Sequence, residues 1–175
     1  VHDAVGDAVQ RHQRNADPVL LGLLMLERER IEQLIAMFVR LDRERDDFEV
    51  AAVEGEMEFR RGSLRLQLRF DRIDRYADGG VAIIDYKTGT AKKLLNRDGS
   101  VKEAQLFVYA GACEEPVVAL ALANIDSRET GFSGAGRGFT DEAEWPELLA
   151  GISEEINNAC DNLVAGDVRL IAEQG

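Results

Sequence analysis

Residues 64–90 read LRLQLRFDRIDRYADGGVAIIDYKTGT, and this stretch decides the fold. Apolar and polar residues alternate from Leu64 to Asp71, which is the period of a strand with one buried face. The segment Ala77-Asp78-Gly79-Gly80 is a hairpin turn signal. The apolar run Val81–Ile84 is typical of a central strand that is covered on both faces. The stretch therefore predicts a β-hairpin whose second strand lies inside a sheet.

Acidic residues stand near the end of each strand of this hairpin. A turn at 77–80 brings Asp71 and Asp85 approximately opposite each other, and Lys87 falls on the same strand face as Asp85. Two carboxylates forced together repel, and a bound cation relieves that repulsion. Mg²⁺ suits such oxygen ligands, to which the backbone carbonyl of Tyr86 could add one more. The pattern indicates phosphate chemistry, in which Lys87 neutralises developing charge or orients a water.

The sequence Asp-x-Lys is by itself weak evidence, because most such pairs are solvated surface charges. Its context favours a functional site. Asp85 follows four apolar residues, a second acid lies one hairpin away, and Thr88-Gly89 terminates the strand. By contrast, Arg72, Asp74 and Arg75 are interpreted as a salt-bridged strand surface.

Composition limits the functions that are open to the chain. At 175 residues, one domain with a real core is expected. The net charge of −12 argues against a generic nucleic-acid coat, although a nuclease needs only a local positive track. Cys113 and Cys160 lack metal-ligand spacing and are expected to be reduced, as in the cytoplasm. The sequence shows no apolar run long enough for a membrane span and no signal peptide.

The remaining pattern predicts the element order α-α-β-β-β-α-β-(β)-α. The expected single domain divides into a helical part at 1–47, a catalytic core at 48–125, and an edge segment with a C-terminal helix at 126–175. Because the chain opens without Met, we expect it to be a fragment of a longer polypeptide. The predicted elements are helices at Val1–Gln13, Pro18 to about Arg45 (capped by Asp17), Lys102–Cys113 and Asp141–Ala165 (capped by Thr140, stopped by Gly166), strands at Phe48–Arg60, Leu64–Tyr76, Val81–Ile84 and Val117–Ile125, an edge segment at Thr130–Phe139, and a loop at Thr88–Val101.

Three motifs together resemble those of a known superfamily. They are Phe70-Asp71-Arg72-Ile73-Asp74-Arg75, Ile84-Asp85-Tyr86-Lys87-Thr88-Gly89, and Gln105-Leu106-x-x-Tyr109-Ala110. In this order, on strand, strand and helix, they look like the PD-(D/E)XK nucleases. They are most similar to the RecB-type nuclease domain at the C-terminal end of AddB-like DNA repair proteins. The resemblance implies a restriction-endonuclease-like α/β (α+β) fold, with a central mixed sheet flanked by helices.

The resemblance also implies a role for each matching residue. Asp71 and Asp85 would bind Mg²⁺ or Mn²⁺, and Lys87 would be the catalytic lysine. Gln105 and Tyr109 would support the site and contact DNA. Other candidate residues are His2, which would join the metal within Val1-His2-Asp3-Ala4-Val5, His12 as a weaker alternative, and Glu54 as a first-strand acid with Glu56 and Glu58 as rivals. No iron–sulfur cluster of the kind that some members carry can be assigned, because the chain has only two cysteines.

The function implied is a metal-dependent DNase, expected to be an exonuclease, within a helicase–nuclease system for double-strand break repair. Its partners would be linear DNA ends, single- or double-stranded, and a helicase or other repair subunit. It would act in the cytoplasm, at the nucleoid. The alternative is a catalytically silent DNA-binding or scaffolding module, which the intact Asp71, Asp85 and Lys87 disfavour. A phosphate-binding loop is not expected at Gly131–Gly138, GFSGAGRG, which is interpreted as flexible and near DNA through Arg137.

Overall fold

The structure, a computed structural model, describes residues 2–13, 17–90, 92–140 and 142–166, and for residues 2–4 and 11–13 it describes the backbone only. Within these described ranges, four helices and five strands follow one another in the predicted order. They are α1 (His2–Gln13), α2 (Pro18–Asp42), β1 (Phe48–Arg61), β2 (Leu64–Tyr76), β3 (Val81–Thr88), α3 (Gln105–Ala112), β4 (Val117–Ile125), β5 (Gly131–Gly136) and α4 (Trp145–Ala165).

By its tertiary contacts the chain divides into two compact units. The first consists of Val1–Asp46, Lys87–Ala91 and Ala123–Phe132. The second consists of Asp47–Tyr86, Lys92–Leu122 and Ser133–Gly175, and it holds most of the sheet together with α3 and α4.

The strands form one five-stranded sheet in the order β1-β2-β3-β4-β5. The pairs β1–β2 and β2–β3 are antiparallel. The starts of β3 and β4 are neighbours, since the Val81 N–H donates to the Pro116 carbonyl at 2.9 Å, so these two strands run parallel across the α3 crossover. At the other edge, the Arg137 N–H donates to the Val118 carbonyl at 2.9 Å. This mixed sheet with flanking helices confirms the predicted restriction-endonuclease-like fold.

The central strand is buried on both faces, as its sequence predicts. Val81, Ala82, Ile83 and Ile84 are all 0% exposed. One sheet face packs on α3 and α4, and the other carries a smaller apolar cluster around Tyr76. The larger core is built from Phe70, Ile73, Val81, Ile83, Leu94, Leu106, Phe107, Tyr109, Leu120, Leu122, Ala135, Trp145 and Ile152.

In the first compact unit, α2 begins as its sequence predicts. The Asp17 carboxylate accepts a hydrogen bond from the Leu20 N–H at 2.9 Å, and Pro18 occupies the first turn. Phe38 is buried, and the centre of its ring lies 5.2 Å from the centre of the Phe132 ring. Within the described residues, no helix combines the length and the apolar character that crossing a membrane requires.

Two predicted helix starts are wrong, and the first is that of α3, which begins at Gln105 rather than at Lys102. The last helix begins at Trp145, and Thr140 does not cap it, because the Thr140 hydroxyl instead accepts the Gly136 N–H at 2.9 Å. Its predicted start at Asp141 lies outside the described residues. Gly166, with φ of 79°, ends the helix as expected. Cys113 and Cys160 are both half-buried, and they are not joined by a disulfide.

The glycine-rich segment is ordered as β5 rather than as a flexible loop, and Arg137 follows it directly. Arg137 donates to Asp78 in the β2–β3 turn at 2.8 Å, and its guanidinium lies 4.9 Å from the centre of the Tyr76 ring. The Asp78 carboxylate also accepts the Gly80 N–H at 3.0 Å. These contacts tie the hairpin turn to the segment that leads into α4.

The contribution of this ion pair to stability should be lost in acid. The hydrogen bond from Arg137, followed by that from Gly80, lowers the pKa of Asp78 from 3.8 to about 2. Because the folded-state pKa is depressed, the contribution is fully present above about pH 4 and declines as the pH falls towards about 2. We expect Asp78→Asn to be less stable than wild type in urea at neutral pH, with a difference that narrows through this range. A difference in stability that stayed constant with pH would contradict this assignment. The difference in stability between wild type and Arg137→Gln should narrow over the same pH range.

Candidate active site

The two predicted acids lie where the β2–β3 ladder ends. The ladder runs from Arg75 opposite Val81 to Arg72 opposite Ile84, so Asp71 and Asp85 are the next residues on their strands. Beyond the ladder, the Asp71 Oδ2 accepts the Tyr86 N–H at 2.7 Å. The Asp71 carboxylate thus replaces a backbone carbonyl of β2 as the acceptor for the Tyr86 N–H. The structure brings Asp71 to the backbone of the Asp-x-Lys motif.

Asp85 differs from Asp71 in its burial. Asp85 is only 6% exposed, whereas Asp71 is half-buried. A buried carboxylate requires compensation by hydrogen bonds or positive charge, since burial of an isolated charge costs several kcal/mol or more. Lys87 is two residues further along β3 and half-buried, so strand alternation gives it the same strand face as Asp85. Gly89, at φ of 94°, follows the end of the strand.

The donors fit a small, hard divalent cation. A carboxylate has about four acceptor positions, so Asp71 retains others after it accepts the Tyr86 N–H. The Tyr86 carbonyl faces the same strand edge as its N–H, because both groups of one residue point towards one neighbouring strand. Among the described residues, no three His, Cys, Asp or Glu side chains converge on a possible metal position. Two carboxylates with a carbonyl suit Mg²⁺ or Mn²⁺, which complete their shells with water, rather than an all-protein cage.

The helix motif is fastened to the strand that carries the first acid. Tyr109 is 3% exposed, and its hydroxyl donates to the Arg69 carbonyl at 2.7 Å, two residues before Asp71. The exposed Gln105 donates from Nε2 to the same Tyr109 hydroxyl, since residues four apart lie on one face of a helix. This arrangement fixes one end of α3 beside β2 and leaves the Gln105 side chain at the surface.

Among the first-strand acids, Glu54 stands nearest to Asp71 in the sheet, because Val53 pairs with Arg72 and Gly55 pairs with Phe70. Glu54 is exposed and forms an ion pair with Arg69 at 3.3 Å, while Glu58 pairs with Arg60. Glu54 also has a φ of 48°, which is unusual for a residue other than glycine. The side chains of His2 and His12 lie outside the described residues, so a histidine ligand stays a prediction.

Sequence reasoning missed a buried polar network on the opposite face of the sheet. The Arg72 Nε donates to the Asp74 Oδ1 at 2.6 Å, and these residues are 6% and 0% exposed. Arg72 also donates to the Tyr86 hydroxyl at 3.1 Å and lies 5.0 Å from the centre of the Phe48 ring. The prediction of a salt-bridged strand surface is therefore wrong about location, because this pair is buried. Only Arg75 behaves as predicted, with an exposed pair to Glu115 at 2.7 Å.

A signal in the sequence could have found this network. Asp74 pairs with Ala82, which belongs to the apolar run that the sequence places under cover on both faces. A residue opposite a doubly covered strand is itself covered, and a buried charge needs a partner. Arg72 is the nearest positive residue on the same strand face, two positions away.

Comparison with known proteins identifies the class to which this fold and site belong. The chain belongs to the PD-(D/E)XK nuclease superfamily, whose family model matches residues 2–174. Nucleases are hydrolases of phosphodiester bonds. This chain is similar to a solved structure titled "Crystal structure of SSO0001", with 18% sequence identity and a TM-score of 0.36. The match covers 88% of this chain and 68% of the chain in that structure. No curated protein matches the chain.

Proposed function

We propose that the chain is a Mg²⁺- or Mn²⁺-dependent deoxyribonuclease, and that residues 1–175 form one RecB-type nuclease domain of the AddB-like kind. The single observation that carries this proposal is the position of Asp71 and Asp85 where the β2–β3 ladder ends, with the Asp71 carboxylate bonded to the Tyr86 N–H. Asp71 thereby lies beside the Asp85-Tyr86-Lys87 segment at the end of a buried strand, and together they form the set of residues that the superfamily motif contains.

Each residue of the site has a distinct role in the proposed reaction. Asp71, Asp85 and the Tyr86 carbonyl would hold the metal ion, with His2 as a further proposed ligand. When bound, the ion polarises a phosphoryl oxygen and makes a bound water more acidic. Lys87 orients the attacking water or neutralises charge that develops on the phosphate. Gln105 and Tyr109 brace β2 from the helix side, and Gln105 is exposed for contact with DNA.

The biological setting is also part of the proposal. We infer that the domain is the nuclease module of a helicase–nuclease system, acts as an exonuclease on linear DNA ends in double-strand break repair, and works at the nucleoid in the cytoplasm. The motif resemblance to AddB-like proteins supports this setting. The net charge of −12 supports delivery of DNA by a larger partner, because most of the chain repels a polyanion.

The direct test is metal-dependent DNA cleavage by the purified chain. We expect it to degrade linear single- or double-stranded DNA with Mg²⁺ or Mn²⁺ and to be inert in EDTA, and we expect Mn²⁺ binding by calorimetry without DNA. A covalently closed circle of the same sequence is the matched substrate, and an exonuclease should spare it. A chain that neither cuts DNA nor binds a divalent ion would favour the silent DNA-binding module instead.

A further inference from the structure

Positive charge is concentrated in one short segment of this acidic chain. All four lysines lie between positions 87 and 102, together with Arg97 and a single acid, Asp98. This segment carries a formal charge of +4, so the rest of the chain carries −16 to give the total of −12. A segregation of this kind is the electrostatic footprint of a site for a polyanion.

Four of these five basic residues stand on a small hairpin, which we call the basic hairpin and define as residues 92–103. With Asp98 and Glu103 included, its formal charge is +2. The sequence predicts a loop here, but Leu95 and Val101 form an antiparallel bridge. The Asn96 N–H donates to the Ser100 carbonyl at 2.9 Å. Asp98 caps the turn by accepting from the Ser100 N–H at 3.0 Å and from its hydroxyl at 2.7 Å. The turn acid is thus engaged within the hairpin.

Leu94 anchors the basic hairpin to the second compact unit. It is 0% exposed and packs in the larger core. The Leu94 N–H donates to the Ser133 hydroxyl at 3.1 Å, and the Leu94 carbonyl accepts from the N–H groups of Lys102 and Glu103 at 3.0 and 3.2 Å. The backbone that carries the charges is therefore fixed before any ligand binds, which lowers the entropic cost of binding.

The charged side chains of the basic hairpin point to solvent. Lys93, Arg97 and Lys102 are exposed, and Lys92 is exposed beside Glu103, with which it forms an ion pair at 2.9 Å. The hairpin leads directly into α3, whose Gln105 reaches the Tyr109 hydroxyl beside β2. The positive surface thus adjoins, along the chain, the helix that braces the strand of Asp71.

We propose that the basic hairpin binds the phosphodiester backbone of the DNA strand on which the site acts. This proposal rests on the proposed nuclease function and deepens it. It locates the positively charged surface that a chain of net charge −12 needs in order to contact DNA. Contacts of ammonium and guanidinium groups with phosphates are independent of sequence and strongly dependent on salt. The surface therefore holds and positions the strand without selecting bases.

The test is the salt dependence of DNA binding in EDTA, where no cleavage occurs. The variant Lys93→Gln, Arg97→Gln, Lys102→Gln is compared with the control Arg60→Gln, Arg61→Gln, Arg65→Gln, which removes the same charge near the distal β1–β2 turn. For a duplex, the hairpin variant should lower the slope of log K against log salt by about 2 to 3, or about 0.9 per lost phosphate contact. The control should retain its slope. Both variants should melt close to the wild-type temperature, because five of the six residues are exposed and the half-buried Arg61 forms only a surface ion pair with Asp161.

Three results would overturn the inference. They are an unchanged slope in the hairpin variant, an equal loss in the control, or competition by polyglutamate as effective as that by DNA. The last result would identify an acidic protein as the ligand. If wild type binds DNA through the hairpin but never cuts it with Mg²⁺ or Mn²⁺, the hairpin contact stands and the nuclease function fails. If wild type cuts DNA but the hairpin variant binds DNA with an unchanged salt dependence, the nuclease function stands and the hairpin contact fails.

Discussion

Replacing Asp85 by Asn should lower the rate of metal-dependent DNA cleavage by at least about a hundredfold. Asn has the shape of Asp but lacks the negative oxygen that a divalent ion requires. Asp85 is also the more buried of the two acids, at 6% exposure, so water cannot easily replace it. Single-turnover cleavage and Mn²⁺ calorimetry should both show the loss. The fold should persist, because removing a buried charge also removes its desolvation cost.

Lys87→Ala and Asp161→Asn complete this experiment. Lys87→Ala should lose cleavage to a similar degree but retain Mn²⁺ binding, because an ammonium cannot be a metal ligand. Asp161, which pairs with Arg61 at the surface, supplies the matched Asp→Asn change, and its variant should cleave at the wild-type rate. Wild-type cleavage by Lys87→Ala would remove the lysine from the mechanism. Wild-type Mn²⁺ affinity in Asp85→Asn would remove Asp85 from the metal site.

The largest effect on stability should come from the buried pair of Arg72 and Asp74. Asp74→Leu should lower the free energy of unfolding by about 3 to 5 kcal/mol, because it leaves the Arg72 guanidinium buried without its carboxylate. The double variant Arg72→Met, Asp74→Leu should cost less than Asp74→Leu alone, since it buries no charge. Urea unfolding of the single and double variants measures both quantities.

The exposed pair of Arg75 and Glu115 is the control for this cycle. It has a similar ion-pair distance, 2.7 Å, and Arg75 lies on the same strand, but the two side chains are 42% and 41% exposed. Arg75→Gln should lower the free energy of unfolding far less than Asp74→Leu does, because solvent screens this ion pair. If Asp74→Leu were as mild as Arg75→Gln, or if the double variant were the least stable of all, the network would not carry the stability assigned to it.

The sequence was most informative where local pattern and burial agree. The period of two in β2, the turn at 77–80 and the apolar run of β3 together predict the hairpin, its place inside the sheet and the proximity of Asp71 to the Asp-x-Lys motif. The four-residue spacing of Gln105 and Tyr109 predicts that they share one face of a helix, and in the structure they form a hydrogen bond there. Each of these predictions rests on contacts between residues that are near in sequence or matched by register.

The failures concern contacts that lie outside a single helix or strand. The alternation of β2 alone does not reveal the burial of Asp74, which follows only when its pairing with Ala82 in the doubly covered β3 is included. Thr140 is a plausible helix cap locally, but a nearby turn N–H takes its hydroxyl. The polar composition of Thr88–Val101 predicts a loop, whereas the burial of Leu94 and the bridge between Leu95 and Val101 hold residues 92–103 as a hairpin.

Tyr86 is held from both sides of the sheet, and this has a consequence for how the site meets its ion. Its amide is bonded to Asp71 on one face, and its hydroxyl receives a hydrogen bond from Arg72 on the other. The backbone between Asp85 and Lys87 therefore has few alternative conformations to lose. Such preorganisation means that little conformational entropy is spent when the ligands close on a cation, so more of the interaction energy remains as affinity.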